Sequence, residues 1–229
     1  MRYMPGTLRK PLYAVTIGMT LSSCTILQPD SPPKGSGKII LTFDDGPTPA
    51  SERLLDVLKK HHVKATFCYV GANVVKYPKT ARRAYAEGHT ISNHTQNHRR
   101  PFLLPSPLDQ DIQQADTTLR QALDDPEFET TFFRPPYGLK TPAVLLSHEA
   151  SARRTAYLTF FIDDSSTGQG NAKRVMERIK KTLLHRHGGA IVLHEMRYPS
   201  PQPSKEWLPD AVDDLIIWAK ANGMAFTQY

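Results

Sequence analysis

From Lys38 onward, short apolar runs alternate with amphipathic stretches of helical spacing, and several of the runs end in a polar cluster. No other feature restricts the fold as much. Strands are predicted over Ile39–Phe43, Ala65–Val70, His89–Ser92, Phe132–Phe133, Ala156–Ile162, Ala190–Leu193 and Met224–Gln228. Between them, helical spacing predicts helices over Ser51–His61, with Ser51 as cap, and over Pro78–Glu87, stopped by Gly88. Further helices are predicted over Pro107–Leu123, Thr141–Ser147, Asn171–His185 and Pro209–Asn222. Leu108, Ile112, Ala115 and Leu119 share one face of the third, and Val175, Ile179, Leu183 and Leu184 are expected inward on the fifth. Repeated strand–helix units imply a parallel sheet covered by helices. About seven units are too many for a small open sheet and slightly short of a regular eight-fold barrel. In such architectures chemistry gathers where strands end and loops begin.

The first strand runs into Thr42-Phe43-Asp44-Asp45-Gly46-Pro47. Two adjacent carboxylates repel unless a cation takes one and leaves the other as a base. Asp-Gly-Pro is also ordinary turn chemistry, so the segment alone leaves both readings open. Beyond the His89–Ser92 strand come His94 and His98, four apart. On a helical turn that spacing puts both imidazoles on one face, as a divalent metal requires. An exposed polar loop is the other reading. With one carboxylate, the pair makes a three-ligand site open to water. After Phe132–Phe133 comes Arg134-Pro135-Pro136-Tyr137-Gly138. Its arginine can hold a carboxylate, and its prolines can present a backbone N–H rigidly. His194, after the Ala190–Leu193 strand, suits a general acid or a histidine satisfied at the core edge.

Residues 1–23 carry Arg2, Arg9 and Lys10, no acid, and a short apolar run from Leu12 to Leu21. This is the layout of a secretory signal, too short to span a membrane. Leu21-Ser22-Ser23-Cys24 resembles a bacterial lipobox, in which Cys24 becomes the lipidated first residue. Residues 24–37, rich in Pro, Ser and Gly, read as a tether. With Cys24 acylated, Cys68 is the one remaining cysteine and reads as a buried apolar residue. The chain carries 29 Lys and Arg against 22 Asp and Glu, a formal +7. Three of those cations lie in residues 1–23, and the rest form no stripe interleaved with aromatics, so no nucleic-acid partner is indicated.

Together, Thr42–Pro47, His94–His98, Arg134–Gly138 and Ile191–His194 resemble, in order, the motifs of the polysaccharide deacetylases, carbohydrate esterase family 4. The resemblance covers about Lys38 to Tyr229 and implies an α/β fold, a single catalytic domain in a distorted (β/α)7-type barrel. It implies one divalent cation, usually Zn2+ with Co2+ as another choice, held by Asp45, His94 and His98. It implies Asp44 as the base acting on metal-bound water, Arg134 orienting Asp44, the Tyr137 backbone N–H in the oxyanion hole, and His194 as the acid. The family's D-x-x-D-W motif departs here. Ungapped, Asp163 matches its first Asp, while Ser166 and Thr167 stand for its second Asp and Trp. Asp163 or Asp164 can supply His194's carboxylate by a shift of the loop; with neither in place, His194 would be less basic and a weaker acid.

The expected activity is N-acetyl removal from an N-acetylglucosamine-containing glycan, peptidoglycan or an exported polysaccharide, outside the cytoplasm. The membrane is the expected anchor through Cys24, at the outer membrane in a Gram-negative cell because Thr25 rather than Asp follows it. An O-acetyl esterase acting on xylan-type glycans, and a glycan-binding protein without turnover, are the alternatives.

Overall fold

The computed structural model describes residues 32, 34–100, 104–156, 158–165, 167–196 and 205–229. The expected signal, Cys24, most of the tether and Ser166 lie outside them. Seven parallel strands carry the fold: β1 (Lys38–Asp44), β2 (Thr66–Tyr69), β3 (Thr90–Asn93), β4 (Phe132–Phe133), β5 (Arg154–Thr155), β6 (Gly189–His194) and β7 (Ala225–Thr227). They run in the order β5-β4-β3-β2-β1-β6, with β7 on the lower half of β1, from Lys38 to Ile40. The helices are α1 (Ser51–Lys60), α2 (Gly71–Lys76), α3 (Pro78–Ala86), α4 (Pro105–Leu123), α5 (Pro142–Leu146), α6 (His148–Ser151), α7 (Gln169–Arg186) and α8 (Leu208–Ala221). This is the curled α/β barrel with helices outside that the strand–helix alternation and the motifs lead one to expect.

Both faces of the central strands are buried, so these strands read as continuous apolar runs. Odd positions face the helices: Ile39, Leu41, Phe43, Phe67, Tyr69, Ile91, Ile191 and Leu193 join the main core with Leu54, Leu55 and Leu58 of α1 and Leu215 and Ile216 of α8. Burying each such leucine contributes about 1.5–3 kcal/mol. Even positions face the barrel axis. Low in the barrel, Cys68, Phe132 and Ala156 pack with the Tyr229 ring, whose centroid is 5.3 Å from that of Phe132. Cys68 is fully buried, as a small apolar residue should be. Higher on the same inward face come Thr42, Asp44, Val192 and His194, so the strands deliver their polar ends to one mouth.

Four local expectations change. Ser51 begins α1 rather than capping it: Ala50 is the N-cap, and the Ser51 hydroxyl turns to Glu195. The helix α2, which the sequence did not predict, follows β2 after the single residue Val70, its N-cap. The strand expected over Ala156–Ile162 is β5 at Arg154–Thr155, and the chain beyond leaves the ladder. There the Ala156 carbonyl is taken by Arg134 Nε at 3.0 Å, and the link to β6 is the Thr159 N–H donating to Ala190 O at 3.0 Å. The histidine pair, expected on a helical turn, lies on a loop whose shape side chains set. Asn93 Oδ1 accepts the Thr95 N–H at 2.8 Å, and Thr95 Oγ1 accepts the His98 N–H at 3.0 Å.

Candidate active site

A cleft of about 510 Å³ opens at the strands' C-terminal ends, where parallel α/β folds carry their chemistry. Asp44, Asp45, His94, His98, Arg134, Tyr137, Asp163 and His194 all line it. Eight of the candidates singled out in the sequence therefore reach one cavity.

Adjacent residues of a strand point to opposite faces, so Asp44 and Asp45 need a device to share the cleft. The backbone supplies it at Asp45, with φ of 70°, in the left-handed region. Thr95 (65°), His98 (51°) and Tyr137 (60°) adopt the same region. None is glycine, and such strain persists only where surrounding structure holds it.

The two carboxylates have different surroundings. Asp44 is buried and takes an ion pair from Arg134 Nη1, which also donates to Thr42 Oγ1 at 2.9 Å. Burial works to raise the Asp44 carboxyl, but Arg134, His94 and His194 outweigh it and hold the group below its usual range. It is an ionised base at neutral pH. Asp45 Oδ1 is buried, lacks a hydrogen-bond partner, and lies 3.6 Å from His94 Nε2 and 3.3 Å from His98 Nε2. Ligands bound at about 2.0–2.2 Å to one tetrahedral ion are roughly 3.4 Å apart, so the spacing fits a shared cation. Among the described residues these three form the one cluster with ligand atoms close enough, all within 4.8 Å of one another. His94 Nδ1 donates to the Arg134 carbonyl at 2.7 Å, which turns the Nε2 lone pair toward Asp45. Burial, reinforced by His94, lowers His98 to about 4, so the His98 imidazole is neutral. The residues present fit a divalent metal.

Across the cleft stands His194. Its Nδ1 is 2.5 Å from Asp164 Oδ1, and its backbone N–H donates to Asp164 Oδ2 at 2.9 Å. The expectation that Asp163 fills this role is corrected. Asp163 is exposed at the cleft rim and turns back on Ser165, accepting from its N–H at 2.9 Å and its hydroxyl at 2.6 Å. The irregular segment after β5 rotates the neighbouring aspartate inward. Burial alone would lower His194, but the Asp164 charge and hydrogen bond, with Asp44 and Asp45, raise it to about 9.

Two residues escaped the sequence reading. Lys205 Nζ donates to the Asp164 carbonyl and, at 3.0 Å, to Asp164 Oδ2. Glu195, next to His194, is buried beneath the Asp45–Gly46 turn; burial, opposed by the Ser51 hydrogen bond, raises it to about 8. No local signal marked Lys205, because it lies beyond a Pro- and Ser-rich stretch. Glu195 could have been suspected as a second ionisable group at a strand end.

The chain matches the family model described as polysaccharide deacetylase over residues 31–157, more than half its length. The chain belongs to the polysaccharide deacetylase family. It is a hydrolase of polysaccharide acetyl groups, and its family depends on a metal. It is similar to a chitooligosaccharide deacetylase of Bradyrhizobium sp., 31% identical over 74% of this chain and 76% of that one. It is also similar to a peptidoglycan-N-acetylglucosamine deacetylase of Bacillus cereus, 39% identical over 86% of this chain and 68% of the relative. Among solved structures, a family 4 acetyl xylan esterase from Clostridium thermocellum in complex with a cobalt ion superposes with a TM-score of 0.65. The two are 26% identical, over 83% of this chain and 87% of that one. The two chains share their fold over that span.

Proposed function

We propose that this protein is a divalent-metal-dependent N-deacetylase of an N-acetylglucosamine-containing glycan outside the cytoplasm, either peptidoglycan or an exported polysaccharide. The observation that carries the reading is the unequal treatment of two adjacent carboxylates. Asp44 is pinned by Arg134, while Asp45 faces His94 and His98 with an unpartnered oxygen. The relatives named for peptidoglycan and chitooligosaccharides support the N-acetylglucosamine substrate.

An amide is a weak electrophile with a poor leaving group. It needs polarisation, an activated water, and an acid at the nitrogen. Asp45, His94 and His98 would hold the cation, with zinc the choice that suits one carboxylate and two imidazoles and cobalt the alternative. When bound, it supplies Lewis acidity that makes water nucleophilic at neutral pH. Asp44 takes the proton from the attacking water, and Arg134 keeps its carboxylate aimed and ionised. As the carbonyl carbon becomes tetrahedral, its oxyanion faces the Tyr137 backbone N–H. His194 then gives a proton to the nitrogen, the C–N bond breaks, and acetate and a free amine leave. Asp164 keeps His194 protonated until that moment. Phe161, 59% exposed, rims the cleft and offers an aromatic face to a sugar where the family's Trp is missing.

The signal-like residues 1–23 and the lipobox-like Leu21–Cys24 support export and membrane anchoring through a lipidated Cys24. The acetyl xylan esterase likeness favours one second reading, O-acetyl hydrolysis with the same machinery. Acetate release from N-acetylated oligosaccharides, peptidoglycan and acetylxylan, with and without chelator, tests the reading. Chelator-sensitive release from N-acetylglucosamine polymers supports it. Release from acetylxylan alone favours the esterase.

A further inference from the structure

The family's D-x-x-D-W motif does not survive in this chain, yet the acid histidine has a buried carboxylate. What holds that carboxylate comes from another part of the chain. Asp164 is fully buried on an irregular segment without a ladder to fix it. Lys205 is buried as well, 7% exposed, and its Nζ meets Asp164 twice, at the backbone carbonyl and at Oδ2. The Lys205 backbone N–H donates to Glu195 O at 3.1 Å, which ties the lysine to the residue after His194. Its Nζ lies 5.5 Å from the Trp207 ring centroid, a further anchor for the stem. Asp164 thus has one oxygen on the His194 ring and the other shared by the His194 N–H and an ammonium.

We propose that Lys205 is a positioning residue for the deacetylation reaction, holding Asp164 against His194 and neutralising it when His194 gives up its proton. The inference rests on the reading of His194 as the proton donor. The physical case lies in the state after proton transfer. His194 is then neutral, and Asp164, with no solvent exposure, would be a lone buried anion. The Lys205 ammonium remains its partner through both states. The transfer therefore uncovers no uncompensated charge, and the carboxylate does not swing away from Nδ1. Asp44 and Asp45 face His194 from the β1 end and favour its protonated form; Lys205 opposes that bias from behind. Lys205 itself passes no proton.

The test uses the metal-loaded full-length chain, with Lys205→Met and Lys205→Arg variants in wild-type and His194→Ala backgrounds. Lys205→Gln serves if the Met variant does not fold. The readouts are kcat and KM for acetate release and the proton resonance of the His194 Nδ1–H. Expected are a kcat lowered about tenfold or more with KM within about twofold, and substantial recovery in Lys205→Arg. The Nδ1–H resonance should move upfield and broaden in Lys205→Met, and the same substitution should change nothing further in His194→Ala. Wild-type kcat and an unmoved resonance in Lys205→Met overturn the proposal. So does an equal loss in both backgrounds, which marks a structural effect alone. Full activity of His194→Ala instead overturns the reading of His194 as the acid, and the resonance still decides whether Lys205 holds Asp164 on the ring.

Discussion

Replacing Asp164 with asparagine tests the half of the site that departs from the family pattern. In the native arrangement Asp164, helped by Asp44 and Asp45, raises His194 from the ordinary 6.5 to about 9 against the effect of burial. That rise is worth roughly 3 kcal/mol in favour of the imidazolium. At pH 8 a histidine titrating near 9 is about nine-tenths protonated, whereas one at 6.5 is only about 3% protonated. Asp164→Asn removes the charge while burial remains, so His194 falls back toward or below its ordinary range and the alkaline limb of the pH–rate profile moves down. An amide also lets the ring choose the wrong tautomer. Loss of the proton and of the orientation together should lower kcat/KM at pH 8 by roughly 10²–10³. The control is Asp163→Asn, which loses a Ser165 turn at the rim and should cost less than about threefold. Both are read by acetate release across roughly pH 5–10. The reasoning is refuted if Asp163→Asn is the damaging change, or if Asp164→Asn leaves the alkaline limb in place.

Other perturbations reach the rest of the site. Arg134→Met strands a buried carboxylate and should destabilise the fold by about 3–5 kcal/mol in urea titration. It should also move the acidic limb to higher pH, because burial raises Asp44 once the guanidinium is gone. Gly46→Ala would drive a Cβ into Glu195 Oε1, on a side chain tied to Ser51, and should destabilise by about 1–3 kcal/mol; adding Glu195→Ala should restore much of the loss. Chelation should abolish acetate release and added zinc or cobalt should restore it, while His98→Ala should weaken calorimetric zinc binding by at least about tenfold.

How much of this the sequence carried depends on whether each residue sits beside a periodic element. Asp44, Asp45 and His194 follow long buried strands, so their place at the barrel mouth could be read from the apolar runs. Arg134 follows a two-residue strand but is marked by its prolines. The rest is written in geometry without a period. The left-handed backbone at Asp45 and His98 decides which way the ligands point, and neither residue is a glycine that would advertise it. The helix α2 has six residues and only Val70 between it and β2, too short for periodicity to speak. Asp164 was one of two adjacent candidates, and only the irregular path after β5 picks it over Asp163. Lys205 meets Asp164 across 41 residues of chain, a pairing no local pattern records.

The central claim is the division of labour between two neighbouring aspartates, and Asp44→Asn tests it most directly. In the zinc-loaded variant, acetate release from an N-acetylglucosamine oligosaccharide should drop by about 10³-fold or more, with calorimetric zinc affinity changed by less than about fivefold. If Asp44→Asn turns over like the wild type, or loses its zinc instead of its turnover, the assignment of base and ligand is wrong.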